Sequence, residues 1–123
     1  MDAILGASFA SAYTASMATA AAARREYPIP IPYEAIADFC RRNHIRKLSL
    51  FGSILRDDFT PESDVDVLVE FEEGKTPGLA FFDLPYELSS LLGRPTDLLT
   101  PASLSKYFRD QILAEAEPIF VAA

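Results

Sequence analysis

Tyr33, Ile36, Ala37 and Cys40 recur at three- and four-residue steps, and this spacing predicts an amphipathic helix over 33–43. The pattern then changes period. Residues 47–51 (KLSLF) alternate and are β-prone, which predicts a short strand. Gly52-Ser53 breaks the alternation, and 54–58 is expected to form a helical turn. A prolyl turn at Thr60-Pro61-Glu62 leads to a second strand over 64–71, whose Val65, Val67 and Val69 share one face. After the polar loop 72–78, the run LAFFDLPYELSSLLG (79–93) has a helical pattern and ends at Gly93, a C-terminal cap. Pro85 fits a helix that starts near Asp83, with the proline in its first turn, or a helix kinked at that point. Residues 96–100 (TDLLT) read as a third strand, 104–115 as a last helix and 119–121 as a short edge strand. The order helix, strand, strand, helix, strand, helix, without an internal repeat, implies an α+β fold: a small mixed α/β sheet with helices packed against it.

Upstream, Pro28-Ile29-Pro30-Ile31-Pro32 is a stiff extended connector, because proline fixes φ and restrains the residue before it. Residues 1–27 are rich in alanine and serine and read as a loosely docked extension. A helix over 15–26 suits the alanines but has few large apolar residues to pack with. The extension lacks the basic start and apolar block of a secretory signal. The expected organisation is therefore an extension (1–27) followed by one folded domain (28–123), in keeping with 123 residues in all.

Composition narrows the function. Half the residues are apolar, as in a globular domain, and no apolar run is long enough to cross a membrane. A net charge of −7 opposes direct binding to nucleic acid, whose affinity comes mainly from lysine and arginine on phosphates. It leaves room for a nucleotide accompanied by magnesium. The single cysteine, Cys40, rules out an internal disulfide and a cysteine zinc cluster, and suits a cytoplasmic location. It falls on the apolar helix face and is expected in the core, as are Tyr107 and Phe108, unless that end of the chain meets a partner. His44 closes the first helix, where the helix dipole favours its charge. Arg41, Arg42, Arg46 and Lys47 form a basic cluster that is either a solvated face or a guide for an anionic ligand or partner.

The candidate chemistry lies in Asp64 and Asp66, two carboxylates among strand valines. On a strand both project from one face, about 7 Å apart, and can converge on a hard cation. Three other readings compete. Acidic residues at a strand start are commonly just solvated. Glu62, Asp64, Asp66, Glu70 and Glu73 have intervals suggestive of a calcium loop, but Val67 stands where that loop needs glycine. A glycosidase acid pair usually flanks its substrate from separate elements. The neighbours separate these readings. Gly52-Ser53 follows a strand and opens a turn whose N–H groups suit phosphate oxygens, although Ser53 as a simple helix cap is the ordinary alternative. A phosphate cradle followed by a carboxylate pair points to metal-assisted phosphoryl or nucleotidyl transfer.

Gly52-Ser53-x-x-Arg56, then Ser63-Asp64-x-Asp66 and an apolar strand, resembles the signature of the DNA polymerase β-like nucleotidyltransferases. More narrowly, residues 33–121 resemble the minimal nucleotidyltransferases (MNT), the small partners of HEPN-family toxins. The resemblance implies a third carboxylate, and Asp97 stands where it belongs. It further implies that Asp64 and Asp66 bind two Mg2+ ions (Mn2+ also suits the site), with Asp97 completing the metal site and helping to activate the attacking hydroxyl. Gly52 and Ser53 would hold the β- and γ-phosphates of ATP. Arg56 would contact phosphate or form a structural ion pair. The implied activity is transfer of AMP to a tyrosine of a HEPN ribonuclease toxin, by an antitoxin working in a hetero-oligomer. Neutralisation by stoichiometric binding and transfer to a small molecule such as an aminoglycoside are the alternatives. Asp57, Leu55, Pro85 and Pro95-Thr96 depart from the family pattern, and Asp57 adds a carboxylate near the cradle.

Overall fold

The computed structural model describes residues 25–123. Of the helix expected over 15–26, Arg25 and Glu26 are described and are not helical; the remainder lies outside the described residues. Helix α1 spans Tyr33–Arg42 and buries Ile36, Phe39 and Cys40. Asn43 ends it by donating from Nδ2 to the Phe39 carbonyl at 2.8 Å. His44 follows at φ 57°, the left-handed turn that swings the chain into strand β1, Ile45–Phe51. A short 3-10 helix, Gly52–Leu55, leads to strand β2, Val65–Phe71. A second 3-10 turn, Leu79–Asp83, runs into α2, Leu84–Leu92, with Pro85 in its first turn, where a missing N–H costs nothing. Gly93, at φ 71°, caps α2 by donating to the Ser89 carbonyl. Strand β3 (Thr96–Leu99), a 3-10 turn (Pro101–Ser103), α3 (Arg109–Glu115) and β4 (Glu117–Val121) complete the chain.

The sheet order is β3-β2-β1-β4, with β1 antiparallel to β2 and β4, and β2 parallel to β3. Alternation divides the sheet into two unlike faces. Leu48, Leu50, Val65, Val67, Val69 and Leu98 point to the face covered by α1 and α2, where they meet Ile36, Phe39, Leu84 and Leu88. Each fully buried aliphatic side chain of this kind contributes about 1.5–3 kcal/mol. The connector joins this core through the buried Ile29, and Tyr27, the last residue assigned to the extension, donates from its hydroxyl to Glu117 at 2.7 Å. Cys40 is buried as expected, and burial pushes its thiol pKa up to about 12. On the opposite face, Phe51 and Leu68 meet Leu104 in a smaller cluster bordered by Leu99, Ile112 and Ala116.

Three elements differ from expectation. The last helix begins at Arg109 rather than 104, because Leu104 is held extended (ψ 145°) to reach Phe51 and Leu68. Tyr107 and Phe108 do not pack; they are 82% and 58% exposed on the turn before α3. The basic cluster is partly spoken for: Arg42 bonds Asp38 and Glu87, and Arg46 bonds Glu70. Among the described residues no helix is long and apolar enough to cross a membrane.

Candidate active site

Sheet register brings the carboxylates together. Asp66 lies on the face away from α1 and α2, with Phe51 opposite it on β1 and Asp97 opposite it on β3. In adjacent strands such partners stand about 4.8 Å apart, so the two aspartates are side by side. Asp64 differs from expectation: β2 begins at Val65, and Asp64 is an exposed residue just before it. The first bond of the parallel pair runs from the Val65 N–H to the Pro95 carbonyl, at 2.9 Å. The three acids therefore meet at one end of the sheet, two held by strands and one by a loop.

Their fields confirm the grouping. The Asp66 pKa is raised, first by burial, then by the negative charges of Asp97 and Asp64, with the Arg56 charge opposing. Among the described residues, no three acidic, histidine or cysteine side chains converge closely enough to hold one ion as they stand. What the fold fixes is the backbone placement of Asp66 and Asp97. An all-oxygen donor set of this kind fits a hard divalent cation.

Gly52 has a role that its place in the sequence did not disclose. Its φ is 81°, and a Cβ built there would collide with the Asp66 carboxylate. Glycine is thus required both by the backbone and by the Asp66 side chain it touches. Ser53 does not cap the turn. The N-cap position belongs to Phe51, and no described side chain caps the turn's first N–H groups. Arg56 pairs with Asp58 (Nε–Oδ1 3.2 Å), an exposed contact worth little to stability, while its charge reaches Asp66. Asp57 is exposed. Sequence reasoning passed over Arg94, whose guanidinium bonds the Thr60 and Ser63 carbonyls just ahead of Asp64. An arginine after a capping glycine reads as an ordinary surface residue, so no local signal marks it.

Two outcomes follow from this packing. Gly52→Ala is expected to cost about 1–2 kcal/mol through its left-handed φ alone, and to displace the Asp66 carboxylate. Urea denaturation measures the first; an unchanged stability would contradict the strained geometry. For Asp66, the folded pKa lies above the unfolded one, so the folded state holds the proton more tightly. Its penalty is present above the folded pKa and absent below the unfolded pKa. In chelator, Asp66→Asn is therefore expected to raise the melting temperature at neutral pH and to lose that gain as pH falls through the carboxylate range. A variant that melts at or below the parent temperature at neutral pH would contradict the crowding.

Comparison with known proteins agrees with this geometry. Residues 33–119 match the nucleotidyltransferase domain family. The protein adenylyltransferase MntA of Thermococcus cleftensis is 39% identical over 72 residues, covering 58% of this chain and 71% of that protein. A solved structure assigned provisionally as a minimal nucleotidyltransferase superposes with a TM-score of 0.59 at 37% identity, covering 70% of this chain and 87% of the other. The fold is also that of a chain in the complex of a tri-AMPylated Shewanella oneidensis HEPN toxin with its MNT antitoxin (TM-score 0.53, 23% identity, 73% and 70% covered). The chain thus belongs to the nucleotidyltransferase domain family, and is a minimal nucleotidyltransferase on the polymerase β-like fold.

Proposed function

We propose that the chain transfers AMP from ATP to a tyrosine hydroxyl of a HEPN-family ribonuclease toxin, and so acts as its antitoxin. The observation that carries the reading is the parallel register of Asp66 with Asp97, beside a glycine turn whose N–H groups are uncapped. The acceptor assignment rests on the names and partners of the similar proteins, carried over to this chain.

In this reading Asp64, Asp66 and Asp97 hold divalent cations, with magnesium the natural occupant and manganese a substitute. When bound, such ions neutralise the carboxylates and the triphosphate and stabilise the attacking and leaving oxygens of an in-line displacement. The chain's own groups do the positioning. The N–H groups of Gly52 and Ser53 receive the β- and γ-phosphate oxygens, and the missing Cβ at Gly52 lets Asp66 stand against the same turn. Asp97, exposed on edge strand β3, orients the acceptor hydroxyl from the open side. The hydroxyl gives up its proton toward the Asp97 carboxylate as its oxygen bonds the α-phosphorus, the bond from the α-phosphorus to the β-phosphate oxygen breaks, and pyrophosphate leaves. Arg56 adds positive charge near Asp66.

A second reading, neutralisation by contact alone, draws on Leu79 and Phe82 of the 3-10 turn and Tyr86 at the start of α2, which are 86%, 66% and 76% exposed. One experiment separates them. The purified chain is mixed with the partner that co-purifies with it, ATP and Mg2+, and the partner is weighed by mass spectrometry. The expected result is a gain of one or more AMP units on a tyrosine, abolished in the Asp64→Ala, Asp66→Ala double variant although that variant still folds. An unmodified partner held in an ATP-independent complex would overturn transfer in favour of contact.

A further inference from the structure

Asp66 and Asp97 are fixed by their strands, but Asp64 is not. It lies one residue before β2, where sheet pairing no longer defines the backbone. Its place depends on the loop that leads into the strand. That loop is closed on itself: the Thr60 N–H donates to Ser63 Oγ at 2.8 Å, and the Ser63 N–H donates to the Thr60 carbonyl at 3.0 Å. These bonds tie Thr60 and Ser63 into one closed turn.

The unit is held from outside by one side chain. Arg94 Nη2 donates to the carbonyls of Thr60 at 2.7 Å and Ser63 at 2.8 Å. Its guanidinium carbon also lies 4.7 Å from the centre of the Phe59 ring. These contacts grip the loop at three points, and one of them is the carbonyl of Ser63, the residue bonded to Asp64. Arg94 itself has a firm base. The preceding Gly93 caps α2, the following Pro95 accepts the first bond of the β2–β3 pair, and Asp97 stands two residues on. One short stretch thus carries the loop clamp, the start of the sheet pairing and the third carboxylate.

We propose that Arg94 is a positioning residue that sets Asp64 against the Asp66–Asp97 pair, and thereby sets the affinity of the site for a divalent cation. The proposal rests on the carboxylate site of the preceding reading. Its physical basis is the repulsion among three acids: before a cation arrives, the only one on a loop is the one free to retreat. Charge-assisted bonds to two carbonyls oppose that retreat. Both bonds from Arg94 go to main-chain carbonyls, so it acts by holding backbone.

The test is a Mn2+ titration of the purified full-length chain without nucleotide, followed by electron paramagnetic resonance. Arg94→Met removes the donors and is expected to weaken Mn2+ binding about tenfold, the range for residues that orient metal ligands. Arg94→Lys keeps a charged donor without the planar fork and is expected to recover part of the loss. In an Asp64→Asn background, Arg94→Met is expected to have no further effect, because the two act as one unit. Melting curves in chelator establish that each variant is folded at the titration temperature. Should Arg94→Met fail to fold, Arg94→Gln takes its place in both backgrounds. Wild-type affinity in the arginine variants, or an equal loss with and without Asp64, would overturn the proposal. A parent affinity indifferent to Asp66→Asn would instead remove the carboxylate site itself, and is read separately in the same titration.

Discussion

Two like charges held on neighbouring strands repel each other at a distance that the backbone does not allow them to increase. The parallel pairing of β2 with β3 imposes this on Asp66 and Asp97, and much of the molecule can be understood as its support. A parallel pair needs a crossover, and here the crossover is α2. The same helix buries Leu84, Leu88 and Leu92 against the back of the sheet. The segment that creates the repulsive register therefore also supplies part of the apolar burial that offsets it.

The two faces of the sheet divide the labour. The covered face is continuous aliphatic core, with α1 and α2 excluding water from β1, β2 and β3. The other face is lightly covered by Leu104, Ile112 and Ala116, and leaves Asp64 and Asp97 exposed. Phe51 links the two regimes. It packs under Leu104, pairs with Asp66 across the ladder, and hands the chain directly to Gly52. The tight approach of Gly52 to the Asp66 carboxylate then joins the 3-10 turn after β1 and the acidic end of β2 into one object.

Much of this was legible in the residues themselves. The helical spacing of Ile36 and Cys40, the valine alternation after Asp64 and the glycine stop at Gly93 all correspond to elements of the structure. The boundaries that moved did so for tertiary reasons. Leu104 gave up helix to reach Phe51, and the strand began at Val65 because Pro95 supplies its first partner there. Asp97 was found only through family resemblance, since nothing near it in sequence says which strand it will join. Arg94 was missed altogether, because its significance lies in two carbonyls brought to it by the fold. For Tyr107 and Phe108 the sequence left packing and an exposed, partner-facing end both open, and the structure leaves them exposed.

The central claim is that the sheet end carrying Asp64, Asp66 and Asp97, with the Gly52 turn, forms one metal–triphosphate site. The most direct measurement is anomalous diffraction from crystals of the chain grown with Mn2+ and a non-hydrolysable ATP analogue. The account predicts manganese density among the three carboxylates, with the triphosphate against the N–H groups of Gly52 and Ser53. A triphosphate bound elsewhere, or bound at the turn with manganese distant from Asp66 and Asp97, would contradict it.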